Sequence, residues 1–148
     1  MALKDQLMAD MKEAMKAHDK DRLAVIRMVR GAVRQQEIDG KKELEDSDVI
    51  AVISKEVKMR RDSIEEFNKG GRQDLVEKTQ AEIDILMPYL PAQLSEDEVR
   101  ELVKAAVEAT GAKTQKDMGK VMGKLMPKVK GCADGKMVNN IVRSMLQG

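Results

Sequence analysis

Residues 87–94 read MPYLPAQL, and the reading of this stretch decides the fold. Pro88 and Pro91 lack an amide hydrogen, and each disfavours helix in the residue before it. The chain has only 3 prolines in 148 residues. Two of them fall here, between segments patterned for helix on both sides. We place a domain boundary at this point: residues 1–91 form one helical domain and residues 92–148 a smaller one. The second piece lies near the lower size limit for a domain folding alone.

On the N-terminal side, Leu3, Leu7, Met11 and Met15 repeat every four residues, with Met8 and Ala14 widening the stripe. This predicts a helix over 2–17. His18 to Asp21 (HDKD) reads as a break. A second helix follows to about Ile38, with Val25, Ile26, Met28, Val29, Ala32 and Val33 on its apolar face and Gly40 as its stop. Ser47 is the expected N-cap of a third helix, since its hydroxyl can accept from a first-turn amide. That helix runs to Asn68, and Gly70 and Gly71 end it. A fourth covers 72–87, with Leu75, Val76, Thr79, Ile83 and Leu86 inward.

On the C-terminal side, Ser95 and Glu98 form the signature of a capping box. The helix they open ends at Gly111. Thr114 is the expected cap of a sixth helix, which Pro127 is predicted to terminate. Asp134 caps a seventh, with Val138, Ile141, Val142, Met145 and Leu146 inward. The fold class is therefore all-α: a four-helix N-terminal domain followed by a three-helix tail. Composition agrees. The chain is 36% charged and has one Phe, one Tyr and no Trp, where strands would favour aromatic and β-branched residues.

Composition also bounds the function. The lone Cys132 forms no internal disulfide and suits a reducing compartment. No stretch approaches the ~20 apolar residues that span a membrane. The opening MALKDQLMADMKEAMK has no apolar signal core. These features lead us to expect a cytoplasmic protein without membrane contact. Catalysis finds little support. His18 is the only histidine, no Cys/His cluster has zinc spacing, and no phosphate loop or other cofactor pattern is present. Asp46 and Asp48 hint at a calcium loop, but Ile50 and a missing glycine break the pattern. Glu65 and Glu66 point ~100° apart on a helix and read as a solvated face. We expect no catalytic residues, metal or cofactor. Arg27, Arg30 and Arg34 line one edge of the second helix, which suits either phosphate binding or pairing with the acids of helices three and four; we expect the pairing.

The charge is unevenly spread. Net charge is +1, yet residues 111–148 hold 8 Lys+Arg against 2 Asp+Glu, and residues 1–110 hold 19 against 24. In KDMGKVMGKLMPKVKG, residues 116–131, the spacing puts Lys116, Lys120 and Lys124 on one ridge, with Met118, Val121, Met122 and Leu125 opposite. Gly119 and Gly123 fall beside the ridge. A glycine inside a helix costs about 1 kcal/mol relative to alanine. Two readings account for the pair: close approach of a neighbouring helix, or close approach of a nucleic-acid backbone whose phosphates the lysines meet. The loop PKVKGCADGK adds Lys128, Lys130 and Lys136 with Gly131, and it leads into a helix N-terminus that favours anions. Single-strand binders stack bases on aromatic side chains, and this chain has one Tyr and one Phe to offer. A folded RNA read by shape and backbone remains.

MGKVMGKLMPKVKGCADGKMVNNIV (118–142) resembles the signature of the YqeY family and, more loosely, the tail domain of the B subunit of glutamyl/aspartyl-tRNA amidotransferase. DMKEAMKAHDKDRLAVIRMVRGAVRQQE (10–37) and RQDLVEKTQAEIDILMPYLPAQLSEDEV (72–99) read like the same family. The resemblance implies a four-helix domain and a three-helix tail that holds folded tRNA. The implied partners are tRNA and an amidotransferase or aminoacyl-tRNA synthetase. A carbon–nitrogen ligase label with glutamine as amide donor would be inherited by name, because the domains that perform that chemistry are not in this sequence. Cys132 departs from the family, which commonly places a basic residue there.

Overall fold

The computed structural model describes residues 2–146. Seven α-helices are described: α1 (Leu3–Lys16), α2 (Lys20–Gly40), α3 (Asp46–Lys69), α4 (Gln73–Leu86), α5 (Glu96–Thr110), α6 (Met118–Val129) and α7 (Gly135–Met145). Short 3-10 turns cover Met87–Tyr89 and Gln115–Asp117. No strand occurs among the described residues, so the fold is all-α. The chain divides into two compact units between Leu90 and Pro91.

In the first unit α3 packs on α4 and α1 on α2, and α2 also touches both α3 and α4. The stripe residues Leu7, Ile26, Val29, Val49, Ile53 and Leu86 are fully buried there. Met8 and Met15, read as part of the α1 stripe, are instead 36% and 46% exposed. Arg60 crosses from α3 to α4: its guanidinium meets Glu56 at 2.7 Å and Glu82 at 3.0 Å.

Two cap readings are corrected. Ser47 does not cap α3. Glu45 does, in a reciprocal box with Asp48, whose carboxylate accepts from the Glu45 amide at 3.0 Å. A carboxylate two residues earlier does the work of the hydroxyl. Gly40 is likewise the last residue of α2, and Lys41 takes the left-handed conformation after it, with φ 53°. The turn tolerates a side chain there because it stands in the open.

The second unit packs α5 against α6 and α7. Ser95 and Glu98 close the capping box that opens α5, and Gly111 ends it with φ 68°. Val99, Val103, Val121, Leu125, Val138 and Val142 are fully buried. Pro127 does not terminate α6, which runs two residues further to Val129. A proline in the last turn removes a single bond, the one its amide would make to the carbonyl of Gly123. Gly123 lies on the exposed face, where water can serve that carbonyl.

Candidate nucleic-acid interface

Helix α6 has three rows at a four-residue spacing. Val121, Leu125 and Val129 are buried to 2% exposure or less. Lys120, Lys124 and Lys128 form an exposed row that spans about 12 Å along the axis. Beside it, Gly119, Gly123 and Pro127 form a second exposed row. A methyl group built at Gly119 or at Gly123 would meet nothing within 4 Å. Among the described residues no neighbouring helix approaches them, which removes the first explanation of the glycines there. The strip leaves α6 backbone bare to solvent, flanked by ammonium groups. Pro127 escaped the sequence reading as a member of this strip, although its spacing from Gly119 and Gly123 was the signal.

The other predicted cations surround this strip unevenly. Lys116 does not belong to α6. It sits in the 3-10 turn before it, exposed, so the helical angle assigned to it does not apply. The turn is held by Asp117, whose carboxylate accepts from the amides of Lys113 (3.0 Å) and Thr114 (3.4 Å). Those two bonds, with a smaller contribution from Lys120, hold the Asp117 carboxyl below its ordinary pKa. Gln115 ties the same turn to the end of α7, donating to the carbonyls of Arg143 (3.0 Å) and Leu146 (2.6 Å). Lys130 follows the last turn of α6 and is exposed. Lys116, Lys124, Lys128 and Lys130 form no ion pair among the described residues.

The loop behaves differently from the helix. Gly131 adopts φ 77°, a conformation that favours glycine, and its carbonyl accepts from Gln93 at 2.8 Å. The Cys132 carbonyl accepts from the Leu94 amide at 2.7 Å. Gly131 is therefore accounted for by the turn it makes. Lys136 lies exposed in the first turn of α7. The α7 N-terminus, read as a place for an anion, already holds one: the Asp134 carboxylate accepts from the Lys136 amide at 3.1 Å.

The arginine edge of α2 is also corrected. Arg27, Arg30 and Arg34 do not pair with acids of α3 and α4. They line an open cleft of about 470 Å³ beside α1. Two acids on α4 do reach arginines, but other ones: Glu82 is taken by Arg60 from the neighbouring helix and Asp74 by Arg72 just before α4.

Among the described residues no helix is long and apolar enough to cross a membrane. The model of the family described as Yqey-like protein matches residues 4–146, and the chain belongs to that family. Curated relatives share the name Altered inheritance of mitochondria protein 41, mitochondrial. The Pyrenophora tritici-repentis protein is 39% identical over 106 residues, 70% of this chain and 58% of the relative. The Kluyveromyces lactis protein is 44% identical over 87 residues, 58% of this chain and 47% of the relative. The protein of Saccharomyces cerevisiae strain YJM789 is 36% identical over 111 residues, 72% of this chain and 60% of the relative. The chain thus spans about half the length of the curated relatives it matches. Their names overturn the expectation of a cytoplasmic protein. The features behind it, a lone thiol and no spanning segment, describe any reducing aqueous compartment, so they do not select the cytoplasm.

Proposed function

We propose that this Yqey-like protein is a non-catalytic accessory factor that binds the phosphate backbone of folded tRNA. The contact surface is α6 with the flanking Lys116, Lys130 and Lys136. The observation that carries the reading is the bare strip Gly119–Gly123–Pro127 running beside unpaired Lys124 and Lys128. Lysine is a compact point charge that meets phosphate oxygens without needing a fixed plane. The missing side chains let a phosphate backbone come close enough for several ammonium groups to reach it together.

Aromatic stacking plays no part in this mode. Tyr89 is committed to Asp10, and Phe67 is half-buried on α3. The RNA is therefore held by its backbone and shape. The tail-domain resemblance supplies tRNA as the RNA, with an amidotransferase or aminoacyl-tRNA synthetase as the enzyme that uses it.

The test is tRNA binding across a salt series, comparing the full chain with K120A/K124A/K128A. Each lost phosphate contact lowers the slope of log affinity against log salt by about 0.7 to 0.9. The triple variant should lose about 2 to 3 units of slope. Alanine at exposed Lys55 and Lys58 of α3 serves as the control and should leave the slope alone. A triple variant that keeps the full slope would remove RNA from α6.

A further inference from the structure

The first unit repeats, in different residues, the combination found on α6. Gly31 lies inside α2, is exposed, and a methyl group built on it would meet nothing within 4 Å. Arg27, Arg30 and Arg34 surround it, all lining the cleft beside α1. Arg27 and Arg34 make no hydrogen bond or ion pair among the described residues. Arg30 donates to the Met11 sulfur at 3.1 Å and forms no ion pair among the described residues. Two carboxylates share the cleft. Glu37 is spent on the Lys4 ammonium at 2.7 Å and the Leu44 amide at 2.8 Å, which leaves Asp5.

Like charges three and four residues apart on a helix repel. Arg27, Arg30 and Arg34 have that spacing, and among the described residues no carboxylate, Asp5 included, forms an ion pair with any of them. Guanidinium groups present paired donors that match phosphate oxygens. Arg27 and Arg34 lie about 10 Å apart along α2, with bare backbone at Gly31 between them.

We propose that this face of α2 is a second phosphate-contact surface for folded RNA. The inference rests on the RNA reading of α6. A protein partner fits the cleft less well, because interface centres are apolar. Its floor residues Leu7 and Val33 are 1% and 4% exposed, so Met8 alone offers a partner apolar area.

The experiment uses the full chain and a folded tRNA transcript over a salt series. The variants are R27Q/R34Q, R27K/R34K and K120A/K124A/K128A. Both arginines are exposed, and circular dichroism checks that the helices persist. R27Q/R34Q should lower the salt slope by about 1.4 to 1.8 units. R27K/R34K, which keeps the charge, should restore most of it. A wild-type protein that fails to bind tRNA even at low salt would sink the α6 reading and this inference with it. A wild-type slope in R27Q/R34Q beside a reduced slope in the lysine variant would overturn this inference alone. Loss of affinity in R27Q/R34Q with no change of slope would also overturn it.

Discussion

The phenolic oxygen of Tyr89 lies 2.5 Å from a carboxylate oxygen of Asp10, joining the turn after α4 to the middle of α1. Arg22 from α2 stands 3.7 Å from the other oxygen of the same carboxylate. Three separate elements of the first unit thus meet at one acid. Burial, and then the bond to Asp10, push the Tyr89 phenol well above its ordinary pKa. Tyr89→Phe should cost about 1.5 kcal/mol, the low end for a hydrogen bond to a charged group, because the site is only partly buried. The pH dependence has a definite sign. An unfolded phenol ionises near pH 10 while the folded one keeps its proton. This contribution is therefore complete below about pH 10 and is lost as pH rises above it. Urea unfolding at pH 8 and pH 11 measures both. A wild-type advantage over Tyr89→Phe that stays constant across that range would refute the assignment.

The open strip on α6 makes an unusual prediction for a helix. Gly119→Ala and Gly123→Ala together should raise stability by about 2 kcal/mol, since alanine is the better helix former and each new methyl group has room. The same double variant should bind tRNA more weakly, because two methyl groups now stand between backbone and phosphate. Thermal unfolding and binding are measured on one preparation. A more stable protein with undiminished binding would separate the glycines from RNA contact.

Arg60 holds α3 to α4 through Glu56 and Glu82, and its guanidinium also lies 3.0 Å from the Met28 sulfur. The side chain is 14% exposed. Arg60→Ala should destabilise the first unit by about 2 to 3 kcal/mol, because two carboxylates lose their partner in a partly dry site. Chemical denaturation checks this, and a loss under 0.5 kcal/mol would place the pair among weak surface contacts.

The Ser54 hydroxyl on α3 is buried and has no hydrogen-bond partner among the described residues. Ser54→Ala removes an unsatisfied polar atom and adds helix propensity. It should stabilise the protein by about 1 kcal/mol. A destabilised variant would show that the hydroxyl has a partner in solution, such as a bound water.

Much of the fold was legible because helix starts and stops are local. Ser95 and Glu98 lie three residues apart and cap α5 as their spacing indicates. Gly111 and Asp134 act on the turn they adjoin. The errors were local competitions between similar groups. Glu45 displaced Ser47 at the start of α3, and Lys41 rather than Gly40 makes the turn that stops α2. At the candidate site, Lys120, Lys124 and the two helical glycines of α6 could be read from a four-residue period, whereas Lys116 falls in a 3-10 turn and Lys128 takes its place in the row.

By itself the sequence determined seven helices, the break at the prolines, and a basic C-terminal segment. Each depends on groups within a few residues of one another. Only the tertiary structure decided which groups had partners. Glu82 reaches Arg60 across 22 residues of chain, and Tyr89 reaches Asp10 across 79. Arg27 and Arg34, with acids abundant in the chain, reach none among the described residues. Whether Gly119 and Gly123 faced a neighbour or open solvent was likewise invisible in the period, because a helical repeat fixes a direction on one helix and says nothing of what stands opposite it.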